Sequence, residues 1–341
     1  MYKYFIVTHV PAFYKINLYN ELSKKINIFV VFISNNTNES RAKDFTGLNG
    51  ANFNYKVLNE GCFQERNKLK SVYMLNAVLN KVKFEKIIVN GWDLWEFWYL
   101  VLVSPYKKNF LLLESTVMES CTSGIKGLLK KIFLSRVCSV FAPGKPHAAL
   151  LKKMEYKGQI RLTKGVGIIN KPFFDYLNRS YNKKFLFIGR LSKVKNLEIL
   201  IRVFNNLDEF ELTIIGEGED GDFLKNIANK NIIFKGAIQN KFMQEYYLSN
   251  DVLILPSMSE TWGLVTEEAI FFGMPVIISK KCGSSELIQD SVNGYLIDPD
   301  SAQSIRSSIL KIDQKGYLKL CSGVMQFSID KKDEKQVNAY L

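Results

Sequence analysis

Short runs of β-branched and aromatic residues alternate along this chain with helix-length amphipathic segments, the pattern of parallel α/β units. In the first half the runs predict strands at 4–8, 28–33, 87–89, 110–113 and 140–142, with helices at 16–23, 72–81, 93–102, 124–137 and 145–154. The second half predicts strands at 184–188, 211–215, 232–235, 252–255, 276–278 and 294–296, alternating with helices at 196–206, 221–229, 241–248, 264–272 and 301–312. Between the halves, Gly165 and Gly167 suit a hinge. With 341 residues, the expected division is a Rossmann-like domain over 1–165, a second over 166–325, and a C-terminal segment 326–341 returning toward the first.

Composition narrows the class. Apolar residues at 47% and charged residues at 23% are ordinary globular values and exclude a disordered or collagen-like chain. Five scattered cysteines and two histidines argue against a zinc site or a disulfide framework and fit a reducing cytosol. The opening residues are too short for the apolar core of a signal peptide. The most apolar run, 92–103, contains Asp93 and Glu96 and falls short of the roughly 20 residues that span a bilayer.

Charge is unevenly placed. The net is +13, but residues 1–165 hold 25 lysines and arginines against 11 acids, whereas 166–341 hold 21 against 22. A polyanionic partner for the first half is therefore expected: nucleic acid, an anionic membrane or a phosphorylated substrate. Nucleic acid is set aside, because no recognised reading module is present.

Two constellations in the second half carry chemistry. In 187–196 a predicted strand runs into Gly189-Arg190 and then Lys195 before a helix, so a guanidinium fork and a point charge project where open α/β sheets bind ligands. In 260–268 Glu260 lies in a loop and Glu268 about a turn into the next helix, with Thr261, Trp262, Gly263 and Leu264 between. Carboxylates accept from vicinal hydroxyls, and a glycine at a helix start offers backbone N–H groups to an anion. Glu267 is read as an acidic first-turn residue complementing the helix dipole.

Gly189-Arg190 with Lys195, Ile215-Gly216-Glu217-Gly218, Phe234-Lys235-Gly236, Pro256-Ser257, the Glu260/Glu268 E-x7-E pair and Gly273-x-Pro275-Val276 resemble, in order and spacing, the family 4 glycosyltransferases. The resemblance is strong over 185–299 and architectural over the first 165 residues. It implies a GT-B fold, two doubly wound domains facing across a cleft, and a retaining transfer from a nucleotide-sugar without metal or other cofactor. It also implies that Glu260 takes sugar hydroxyls, Glu268 the ribose hydroxyls, and Arg190 and Lys195 the diphosphate. The base would lie against Gly236, Ala237 and Ile238, with Gly216 and Glu217 nearby. Asp220-Gly-Asp222 and Asp298-Pro-Asp300 match D-x-D formally and are read as loop chemistry.

The first half departs from the family. Where a histidine commonly follows the fourth strand stands Glu114, a candidate for its catalytic place, and His9 after the first strand is the other candidate. Trp92 and Asp93, after the strand at 87–89, are candidates for binding the acceptor, while Trp95 and Trp98 are expected in the core. The segment 125–136 is a basic amphipathic helix; such faces commonly pack inward, but the charge excess favours an anionic membrane.

The reading is a cytoplasmic glycosyltransferase, peripheral on the inner face of the cell membrane, acting on a glycan or lipid-linked glycan in polysaccharide or glycolipid synthesis. Nucleotide-sugar epimerisation on the same fold is the alternative. A phosphorylase would need a pyridoxal lysine motif, and a glycosidase using Glu260 and Glu268 would leave Arg190 and Lys195 unexplained.

Overall fold

The strands of the first half are β1 (Tyr2–Thr8), β2 (Ile28–Asn36), β3 (Asn54–Cys62), β4 (Phe84–Val89), β5 (Asn109–Leu112), β6 (Ser139–Ala142) and β7 (Gln159–Leu162). They form one sheet in the order β3-β2-β1-β4-β5-β6-β7, with parallel pairing throughout. Helices α1 (Phe13–Ser23), α2 (Lys68–Leu79), α3 (Trp95–Val103), α4 (Gly124–Ser135) and α5 (Lys145–Lys153) connect them. The period of two in a strand sends neighbours to opposite faces. Phe5 and Val7 join Val31, Ile87, Leu111, Phe97 and Phe133 in one core, while Tyr4 and Ile6 join Val30, Phe32, Ile88, Tyr19 and Leu22 in another.

The second sheet contains β8 (Lys184–Ile188), β9 (Glu211–Ile215), β10 (Ile232–Phe234), β11 (Val252–Leu255), β12 (Val276–Ser279) and β13 (Gly294–Ile297). Its order is β10-β9-β8-β11-β12-β13, again all parallel. Its helices are α6 (Leu197–Phe204), α7 (Gly221–Ile227), α8 (Met243–Ser249), α9 (Leu264–Phe271), α10 (Ala302–Leu310) and α11 (Gln314–Gln326), followed by α12 (Ile329–Asn338).

This computed structural model describes residues 1–39, 42–175 and 179–341. The chain resolves into two units: Met1–Glu39, Thr46–Ile168 and Lys332–Leu341 in one, Ser40–Phe45 and Ile169–Lys331 in the other. The first boundary thus follows Ile168 rather than Gly165, and the tail joins the first unit from Lys332 rather than from residue 326. Within the first unit Tyr340 stacks on Phe141 with ring centroids 4.3 Å apart, and its carbonyl accepts from the Tyr4 hydroxyl at 2.8 Å.

Both sheets are doubly wound, and strand order reverses between β1 and β4 in one and between β8 and β11 in the other. Ligands of open α/β sheets bind beyond the carboxyl ends of strands at such switch points. Four elements were not foreseen: the strands β3 and β7 and the helices α11 and α12. Helix α3 begins at Trp95 rather than residue 93, which leaves Trp92 and Asp93 in the loop after β4. One packing expectation also changes. Trp95 is 55% exposed and not a core residue, and α4 turns Ile125, Leu128, Leu129 and Ile132 outward while burying Phe133 and Leu134. Among the described residues no helix is long and apolar enough to cross a membrane.

Candidate active site

At the second switch point, the loops after β8, β9 and β10 are laced backbone to backbone. The N–H of Gly189 donates to the Ile215 carbonyl at 3.0 Å, that of Leu191 to Glu217 at 2.9 Å, and that of Gly216 to Gly236 at 2.8 Å. Gly216 has φ +132°, and a Cβ there would sit 1.9 Å from the Gly189 carbonyl oxygen, so the loops meet only because Gly216 is bare. The Ala237 N–H lies 3.4 Å from a Glu217 carboxylate oxygen; Ala237 is exposed and Ile238 half-buried. Arg190 is exposed on the loop after β8.

Lys195 and Glu260 form an ion pair between the loops after β8 and β11, with only 14% and 19% of their side chains exposed. The resemblance implies separate ligands for these two residues, yet here each neutralises the other. Asn196, next to Lys195, holds a left-handed backbone at φ 59°, a conformation asparagine tolerates. Its amide donates to the carbonyls of Pro256 at 3.2 Å and Pro299 at 2.7 Å, fixing the Lys195 turn to the loop after β11.

The Glu260 segment is clamped from the other side. Its carbonyl accepts from the Gly283 N–H at 2.9 Å, where a Cβ would meet the Thr261 carbonyl at 2.1 Å. Thr261 and Leu264 are half-buried, and Gly263 caps α9 at φ +95°. Trp262 requires a correction: it is 1% exposed, and its indole donates to Glu267 at 2.6 Å, so the ring anchors α9 instead of meeting a ligand. Glu267 is likewise more than a dipole complement, being fully buried as the partner of that indole.

Glu268 is half-buried and accepts from the Tyr247 hydroxyl. Burial pushes its carboxyl up to about 7; the Tyr247 bond opposes this and the neighbouring Glu267 charge adds to it. The D-x-D matches lie in local turns. Asp300 pairs with Lys281 at 2.5 Å, its N–H donates to Asp298 at 3.1 Å, and Asp220 stands at the N-cap of α7.

The first unit repeats the device at its own switch point. His9 after β1 and Asp93 after β4 are joined at 3.0 Å between Nε2 and Oδ2. Burial would raise the Asp93 carboxyl, but the hydrogen bond and charge of His9 hold it below the usual range. Glu114 Oε1 lies 3.1 Å from Lys15 Nζ and accepts from Asn90 at 3.2 Å. There too burial is outweighed, chiefly by Lys15, and the carboxyl stays low and ionised. Trp92 is half-buried, with Lys130 Nζ 5.0 Å from its ring.

Several contributors were missed by reading the sequence. Lys15 is 5% exposed and also donates to Thr8 at 3.2 Å; a lysine on the buried face of α1 was the available signal. Tyr247 and Asn196 gave no local signal. Arg66 and Glu96 form a buried bidentate pair at 2.8 and 2.9 Å that fixes the first turn of α3 beside Asp93.

Comparison with known proteins fits this geometry. An uncharacterized protein in the cps region of Klebsiella pneumoniae is 34% identical over 122 residues, which is 35% of this chain and 34% of that protein. A sulfoquinovosyl transferase of Arabidopsis thaliana is 33% identical over 120 residues, 34% of this chain and 24% of its own. The chain thus spans about a third or less of the length of these curated relatives. Among solved structures, Anabaena HepE in complex with UDP and glucose superposes with TM-score 0.71 at 14% identity, covering 98% of each chain. That likeness is one of fold, two Rossmann-like units of the GT-B class, and residues 169–319, which hold Arg190, Lys195, Glu260 and Glu268, match the family of glycosyl transferases group 1.

Proposed function

We propose that this chain is a retaining, metal-independent glycosyltransferase that moves a sugar from a nucleotide-sugar to a glycan acceptor, lipid-linked, in surface polysaccharide or glycolipid synthesis. The observation that carries the reading is the Lys195–Glu260 pair beside the Gly263 start of α9, with Arg190 on the same loop as Lys195, at the switch point of a segment matching the glycosyl transferases group 1. Such a site offers two cations to a diphosphate and a helix start to its oxygens. As the bond from the anomeric carbon to the diphosphate oxygen breaks, the leaving group gains charge, and Arg190 and Lys195 stabilise it without metal. Glu260 and Glu268 accept from sugar and ribose hydroxyls, and the base lies against Gly236, Ala237 and Ile238. In the first unit, Glu114 and His9 are the groups proposed to meet the acceptor hydroxyl, with Trp92 and Asp93 beside it.

Glu260→Ala and Arg190→Ala are expected to lose at least about a hundredfold in turnover with folding intact, the scale of removing one charge-stabilising group. Full turnover in either, measured with a panel of nucleotide-sugars, would remove the donor-site assignment. Chelation of divalent metals should leave turnover unchanged.

The membrane part rests on charge and on α4. Ile125, Leu128, Leu129 and Ile132 are between 44% and 79% exposed on a helix carrying Lys126, Lys130 and Lys131. The proposed place of work is an anionic membrane surface, the inner face of the cell membrane. Sedimentation with phosphatidylglycerol vesicles should exceed that with phosphatidylcholine by about tenfold and fall in Leu128→Asp/Ile132→Asp; equal partitioning would count against it.

A further inference from the structure

The start of α2 and the loop and helix after β4 enclose a groove of about 440 Å³ in the first unit, lined by Leu69, Val72, Asp93, Trp95, Trp98 and Tyr99. That volume is in the range of about 300–1,000 Å³ usual for small-molecule sites. Two of its aromatic rings are fixed by their polar edges: Trp98 Nε1 donates to the Trp92 carbonyl at 2.9 Å, and the Tyr99 hydroxyl to Asn76 at 2.7 Å. Trp95 stands 55% exposed, with Lys68 Nζ 5.7 Å from its ring. Trp98 and Tyr99 therefore offer faces whose orientation is already set, which lowers the entropy cost of binding, while Trp95 presents an exposed one.

Asp93 supplies the one carboxylate of this lining, and it is kept ionised by His9. An ionised carboxylate only accepts, so it selects ligands with hydroxyl or amide donors. An alkyl chain laid in the groove would take water from that carboxylate and bring it no donor beyond the His9 it already has. A phosphate would meet repulsion from that carboxylate against the attraction of Lys68 beside Trp95, and would bring it no hydroxyl donor. A ligand with flat C–H faces to stack on indole and phenol rings, and hydroxyls at its edge, satisfies both features.

We propose that this groove binds sugar units of the acceptor glycan beyond the residue that reacts, Trp95 and Trp98 stacking on pyranose faces and Asp93 accepting their hydroxyls. The inference rests on the glycosyltransferase reading and adds an extended carbohydrate-binding track between α2 and α3. It assigns a ligand-facing role to Leu69, Val72, Trp95, Trp98 and Tyr99, of which the two tryptophans were expected in the core.

The test uses the full chain and Trp95→Ala, which removes an exposed ring and spares the core. The probes are tetrasaccharides of glucose, mannose, galactose and N-acetylglucosamine, with decanoate as the apolar control and UDP and GDP in a separate arm. At least one tetrasaccharide should quench tryptophan fluorescence saturably, Trp95→Ala should weaken its binding about tenfold, and decanoate should not compete. No saccharide binding, undiminished binding by Trp95→Ala, or displacement by decanoate would overturn the groove assignment. The nucleotide arm separates the two readings: if neither UDP nor GDP raises the melting temperature, the transferase reading falls, whereas saccharide quenching still decides the groove.

Discussion

Glu268 is held up to about 7 by burial, against an ordinary 4.5 in the unfolded chain. Between those values the native state keeps a proton the unfolded state has released, so stability falls as pH rises from 4.5 to 7 and stays at the lower level above. Glu268→Gln should therefore raise the melting temperature at pH 8, by roughly 2–4 °C for each kcal/mol recovered, and give no gain at pH 4.5. Nucleotide affinity should run the other way. If the ionised carboxylate holds the ribose diol, the dissociation constant for UDP or GDP falls by up to about tenfold per pH unit on approaching pH 7 from below. Glu268→Gln should bind weakly with that dependence removed; a parallel pH profile in the variant would contradict the role. The placement of Arg190 and Lys195 after β8, of Glu260 after β11 and of Glu268 within α9 was legible because each belongs to a spaced motif. Trp262 was misread because its motif places its backbone, whereas the direction of its indole depends on Glu267 and the left-handed turn at Gly263.

The elements show the same division between local and tertiary information. Strands β8, β9 and β11 lie inside the second sheet, and all three are at least half apolar and almost wholly buried; their predicted ends agree with the observed ones. Strands β3 and β7 are the two edges of the first sheet, with mostly exposed residues and no sustained apolar run, so their pairing is decided by β2 and β6 rather than by their own pattern. Helix α12 has few apolar residues and depends on what it packs against. The laced loops after β8, β9 and β10 give an element-scale prediction. In Gly216→Ala the added methyl must displace the Gly189 carbonyl or the loop after β9, moving Arg190 with it. A loss of at least about tenfold in turnover and a lowered melting temperature are expected; an unchanged enzyme would show that the three loops move independently.

At the scale of the whole chain, the final residues are part of the first unit's core and not an appendage. Tyr340 is 1% exposed, stacked on Phe141 and tied by its carbonyl to Tyr4. Tyr340→Ala should cost about 3–5 kcal/mol, read as a lower urea midpoint with an unchanged slope. The sequence indicated two α/β units and a returning tail, and it placed the positive charge in the first half. It did not indicate that each switch point is bridged by a basic and an acidic side chain, because His9 and Asp93 are far apart along the chain, as are Lys195 and Glu260. Because Lys195 and Glu260 already satisfy each other, a small anion such as inorganic phosphate takes the Lys195 ammonium only by stripping Glu260 of its partner. A ligand that brings phosphate oxygens and hydroxyl donors together replaces both halves of the pair at once. On the proposed donor reading, the pair is a two-condition filter, weak toward free phosphate and responsive to a sugar still joined to its diphosphate.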